Sequence, residues 1–141
     1  MDKVQIIKDY PPNYKTISDN FDLKGQKPIF AYDGKIYNPH GDEIDADIIL
    51  HEKVHIEQQK KFANSDLWWS KYIFERDFRL DQELDAYGQQ YAFIKKHLPN
   101  RISRLALADF GDILSSPMYD VNISKSQAEA MIKRKSKEVV V

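Results

Sequence analysis

Residues 44–63 read IDADIILHEKVHIEQQKKFA, and this stretch decides how the rest of the chain is read. Asp45 is a good N-cap, with Ile44 and Ile49 at staple spacing around it, so a helix begins near Asp45 and runs to about Ala63. His51, Glu52 and His55 fall two turns into that helix as H-E-x-x-H. Residues four apart on a helix share one face, one turn above each other. Two imidazoles so placed can grip a single zinc ion, and the adjacent glutamate can act as general base on water that the metal activates. With 4 His in 141 residues, chance produces this pattern in roughly 1 of 200 shuffles.

Upstream, Pro28 opens PIFAYDGKIYNP. Two β-forming runs, Ile29 to Tyr32 and Lys35 to Tyr37, flank Asp33-Gly34, the strongest short-range signal for a tight hairpin. Before it, residues 1–25 hold a short strand at Val4 to Ile7, a Pro11-Pro12 break and polar turns. Asn38-Pro39-His40-Gly41 is a turn.

Downstream, Asn64-Ser65-Asp66 breaks the chain and Asp66 is the expected cap of the next helix. From Leu67 to Leu98 an apolar stripe runs through Trp69, Ile73, Leu80, Leu84, Tyr87, Tyr91, Ile94 and Leu98. One long helix, or two joined near Phe78, fits that spacing. Pro99-Asn100 ends it. A helix follows over 101–114, then a loop at Ser115-Ser116-Pro117. Ser124 caps a last helix, 125–136, with Ala128, Met131 and Ile132 inward. The fold class implied is α+β: a small N-terminal antiparallel sheet packed on a helical bundle. The length, 141 residues, implies one domain, with a core at about 28–120 and a C-terminal helix and tail at 124–141.

Composition narrows the chemistry. Hydrophobic content of 42% and charged content of 30% describe a globular chain. A net charge of −1 argues against an electrostatic nucleic-acid grip by the whole domain. The short basic run Lys133 to Lys137 reads as a solvated helix end; salt-dependent DNA binding would mark the weaker adaptor reading. There is no cysteine, so neither a disulfide nor a thiolate ligand is available. MDKVQIIKDYPP lacks the pattern of a signal peptide, and no apolar run is long enough to span a bilayer. A cytoplasmic location with no membrane insertion is expected.

A catalytic zinc site takes three protein ligands and leaves one position open. Gln58 and Lys61 occupy the positions of H-E-x-x-H-x-x-G-x-x-H, which excludes that ligand pattern. A carboxylate from a following helix remains: Glu75 or Glu83, with Asp77, Asp81 and Asp85 shorter. Glu83 is favoured. Its helical neighbours are Ala86, small enough for close helix approach, and Tyr87, a member of the apolar stripe. Glu75 lies about 12 Å away along the axis, so the two cannot serve one ion.

HEKVH followed 28 residues later by E-x-x-A-Y resembles the gluzincin metallopeptidases, and the small size resembles the minigluzincin-type and phage-encoded predicted peptidases. The resemblance covers about residues 30–97. It implies a zincin-like fold, zinc held by His51, His55 and Glu83, and Glu52 as general base. It also implies Lys35-Ile36-Tyr37 as the upper-rim strand that pairs with an extended peptide or protein substrate. Tyr87 departs from the pattern, because several gluzincins carry there an acidic residue that supports a zinc-bound His. Another carboxylate or carbonyl must then orient His51 or His55.

The remaining polar and aromatic residues carry two readings each. Arg76 and Arg79 could hold an oxyanion or a substrate carboxylate, but salt bridges to Glu75, Asp77 or Asp81 are favoured. Tyr87 and Tyr119 could donate to the oxyanion, with core packing favoured. Trp68-Trp69 reads as core and rim, Gln58 and Gln59 as ordinary polar positions, His40 and His97 as surface. The resemblance also implies that a terminal segment such as Val139-Val140-Val141 could cover the cleft, against a frayed end as the default. The competing class is a zincin-like module that binds zinc and cleaves nothing, with a structural or interaction role.

Overall fold

A computed structural model describes residues 3–139. Over these residues the chain is α+β, with three strands and six helices. Strands β1 (Gln5–Ile7), β2 (Phe30–Tyr32) and β3 (Lys35–Tyr37) form one sheet in the order β1-β3-β2. The helices are α1 (Tyr14–Asn20), α2 (Ala46–Gln59), α3 (Ser65–Phe74), α4 (Arg76–His97), α5 (Asn100–Leu114) and α6 (Lys125–Ser136). Contacts divide the chain into two compact units, Met1–Glu75 and Arg76–Val141. None of the helices among the described residues is long and apolar enough to cross a membrane.

In the first unit, Asp33 (φ 49°) and Gly34 (φ 75°) turn β2 back on β3 with both central residues left-handed. That is the geometry of a type I′ hairpin, matched to the natural twist of the strands. The pairing is antiparallel, Phe30 opposite Tyr37 and Tyr32 opposite Lys35. β1 then joins the other side of β3 in parallel, Ile6 beside Ile36. The sheet is therefore mixed rather than purely antiparallel. Ala31, Ile36 and Ile56 form a small core with Val4, Ile29, Ile44 and Ile49 packed around it. Both staple isoleucines of α2 thus reach the sheet. Asp45 is the N-cap by position, but its side chain makes no capping bond.

Several boundaries differ from expectation, each for a local reason. α1 is a short helix where polar turns were expected; Ile17 is its buried residue, and no side chain caps it. α2 ends at Gln59 rather than Ala63, because Lys61 and Phe62 bond back only three residues, to Gln58 and Gln59, and tighten the chain into a turn. Asn64, not Asp66, caps α3: its side chain accepts from the Leu67 N–H. Asp66 instead accepts from the Tyr32 hydroxyl at 3.0 Å. Burial, and next this hydrogen bond, raise the Tyr32 hydroxyl above its usual pKa. The break in the long helical stretch falls at Glu75 (φ −118°, ψ 104°), not near Phe78.

Gln59 and Trp69 fasten the hairpin to the helices. The Gln59 side-chain amide donates to the Ala31 carbonyl at 2.8 Å, and the Trp69 indole donates to the same oxygen at 3.0 Å. Ser65 donates to Gln59 Oε1 and accepts from the Asp33 N–H. Gln59 is therefore a buried structural residue, not an ordinary polar position. Trp68 and Trp69 are both core, and Trp68 stacks on Tyr72.

The second unit is a helical core of Tyr87, Tyr91, Ile94, Phe110, Leu114, Val121, Ala128 and Ile132. α6 packs against both α4 and α5. It is capped by a full capping box in which Ser124 and Gln127 each bond the other's backbone. Met131 is only partly buried beside Ala128 and Ile132. Leu98 falls outside the apolar stripe: it is 46% exposed at the end of α4. Gly88 lets α4 approach α6, since a Cβ there would sit 2.9 Å from Lys135 Cγ and 3.3 Å from its backbone carbonyl carbon. Val140 and Val141, part of the terminal segment expected to fray or else to cover the cleft, lie outside the described residues.

Two outcomes are expected in urea unfolding. Gly88→Ala lowers stability by about 1 kcal/mol although alanine is the better helix former, because overpacking outweighs the gain in propensity. Ser124→Ala costs about 1 kcal/mol, whereas Asp45→Ala costs only a few tenths, because only the first removes a capping bond.

Candidate metal centre

α2 buries seven residues: His51, Glu52, Val54, His55, Ile56, Gln58 and Gln59. Five of these are polar. A helix gains little by burying such a face unless each group is paired or serves a function. His51 is 6% exposed, Glu52 8% and His55 5%. The one-turn spacing sets the two imidazole centroids 4.9 Å apart with their planes at 80°. A carboxylate oxygen of Glu52 lies 4.0 Å from His51 Nε2. The His55 ring packs against Trp68 and Tyr72, with centroids at 5.4 and 6.4 Å. Its Nδ1 lies 2.8 Å from Gln58 Oε1. Gln58 too is buried, so its place beside His55 replaces its reading as an ordinary polar residue.

On α4 the buried residues include Arg79, Glu83, Ala86 and Tyr87, one face over two turns. Glu83 is 3% exposed, while Glu75, Asp77 and Asp81 are exposed. Burial thus separates Glu83 from those alternatives. Arg76 does not pair with Glu75, Asp77 or Asp81 as expected; it and Arg79 both reach the segment that follows α5. Arg76 pairs with Asp120, and Arg79 donates to the carbonyls of Tyr119 and Asp120 at 2.7 and 3.0 Å. Both clamp a strap in which Asp120 (φ 51°) and Asn122 (φ 57°) are left-handed. The Tyr87 and Tyr119 hydroxyls lie 3.1 Å apart.

His51, His55 and Glu83 form a buried group that can hold a metal ion. Each offers one ligand atom, and these atoms all lie within 4.8 Å of one another. Arms of about 2.1 Å in tetrahedral geometry set ligand atoms about 3.4 Å apart. His40 and His97 are exposed, as expected.

The strand expected to pair with substrate requires correction. Lys35, Ile36 and Tyr37 form β3, the central strand, bonded to β1 on one side and β2 on the other. Its backbone has no open edge to offer an extended peptide. The parallel partner β1 lies 30 residues upstream of β3 in register, a pairing that no local signal announces.

Elemental analysis of the purified chain is expected to find about one metal ion per wild-type molecule. His55→Ala and Glu83→Ala should each hold little, since loss of one of three protein ligands leaves too few to retain the ion. Full occupancy in Glu83→Ala would remove it from the ligand set.

No family model, curated protein or solved structure matches the chain.

Proposed function

We propose that this chain is a zinc-dependent metalloendopeptidase of the gluzincin type with a zincin-like fold. The observation that carries the reading is the Glu52 carboxylate, buried on the same helix and 4.0 Å from His51 Nε2 of the ligand group. Two imidazoles and one carboxylate are a donor set that suits zinc, and no cysteine competes for the site. Bound there, zinc supplies Lewis-acid polarisation of a peptide carbonyl and lowers the pKa of water towards about 7.

The chain's own residues do the rest. His51, His55 and Glu83 hold the ion, and a single anionic ligand leaves the centre net positive. Glu52 takes a proton from the attacking water and passes it to the leaving amine. Tyr87 and Tyr119 pack in the helical core of the second unit with their hydroxyls 3.1 Å apart, so they are given no oxyanion role. Arg76 and Arg79 are given no such role, because they hold the strap at Tyr119 and Asp120. The substrate is a peptide or protein.

One observation favours the second reading, a zinc-binding module without catalysis: each of His51, Glu52, His55 and Glu83 is at most 8% exposed. A site closed to substrate would use the metal only to hold structure. Glu52→Gln separates the two. On an unfolded protein or a quenched peptide library, the substitution should lower turnover by about 10²–10⁴-fold while zinc content stays at the wild-type level. Equal cleavage by the variant would show that Glu52 is not the base; zinc-loaded wild type with no Glu52-dependent cleavage would favour the structural module.

A further inference from the structure

A histidine can bind metal through one ring nitrogen only if the proton sits on the other. In His55 the decision rests with Gln58. The two are three residues apart on α2 and share a face. His55 Nδ1 lies 2.8 Å from Gln58 Oε1, with both side chains buried. An amide oxygen can only accept, so Nδ1 carries the hydrogen and donates it. Nε2 then carries the ring's lone pair and is the atom a metal would take. Trp68 and Tyr72 fix the plane of the ring at the same time.

We propose that Gln58 is a positioning residue that selects the Nδ1–H form of His55 and presents its Nε2 to the metal. The tautomer follows from α2 alone; the consequence for metal affinity rests on the metal-centre reading above. A neutral acceptor suits this place. A carboxylate would add negative charge to a site that already holds Glu52 and Glu83, and would weaken the pull of the ion on its fourth ligand.

The test combines ring-nitrogen NMR with metal affinity. In ¹⁵N-labelled wild type, metal-free and with neutral rings, His55 should show the Nδ1–H pattern; His55→Gln assigns the signals. On adding zinc, Nε2 should shift as the ligand while Nδ1 stays protonated. By chelator competition, Gln58→Leu should bind zinc 10–100-fold more weakly, and Gln58→Glu, which keeps an acceptor, should recover most of the loss. Melting of the metal-free variants checks that each is folded. An Nε2–H ring in the metal-free wild type, or zinc bound through Nδ1, overturns the proposal even if Gln58→Leu fails to fold. Equal zinc affinity in wild type and folded Gln58→Leu overturns the role of Gln58 and leaves the metal centre standing. Wild type that binds no zinc overturns the metal centre itself, and with it any metal-directed role for Gln58.

Discussion

The carbonyl of Ala31 is the point on which the first unit turns. Ala31 pairs opposite Ile36 without bonding it, so its C=O projects from the far side of β2. That oxygen is buried and would cost about 1–3 kcal/mol if left without a donor. It receives two, the Gln59 amide and the Trp69 indole. The first fixes the rotation of α2 about its axis, and the second fixes α3. Once Gln59 is committed to the sheet, the rest of the α2 face follows at helical spacing. Gln58 lies beside His55, and His55 stands one turn from His51. The placement of His51 and His55 thus depends on a backbone oxygen in a hairpin.

α2 has a feature that stability alone would not call for. Its buried face is mostly polar, and most of its apolar support comes from elsewhere: Ile36 and Ala31 in the sheet, and Trp68 and Tyr72 on α3. The second unit is built on the opposite plan. α4, α5 and α6 share a continuous apolar core, and the close approach at Gly88 is paid for only in side-chain room. Within that apolar unit Arg79, Glu83, Gln90 and Ser103 are the buried polar residues among those described, and Arg79 is spent on the carbonyls of Tyr119 and Asp120.

Much of this was legible in the sequence, and what was not has physical causes. Asp33-Gly34 announced its turn because few residues tolerate two successive left-handed conformations. Ser124 announced α6, and H-E-x-x-H with a later Glu beside Ala86 announced a buried group that can hold a metal ion. α1 carried no periodicity, since Ile17 is its one buried residue. Asn64 and Asp66 are both good caps, and only the Tyr32 hydroxyl, distant in sequence, decides between them. Gln58 and Gln59 look like solvent-facing residues in a run of polar letters. Their partners are one turn back on the helix for Gln58, and a backbone oxygen 28 residues away for Gln59. The central place of β3 was hidden for the same reason: its second neighbour is a strand from the start of the chain.

The capture of Ala31 has a consequence for self-association. A three-stranded sheet has two rims, and an unguarded rim is a template for strands of other molecules. At β2 the outward carbonyl is occupied by side chains and the Asp33 N–H by Ser65, so no foreign strand can dock there without first displacing buried partners. At β1 the strand is only three residues long and is followed by Lys8. The same contacts that fasten α2 and α3 to the hairpin therefore stopper the sheet against fibrous growth.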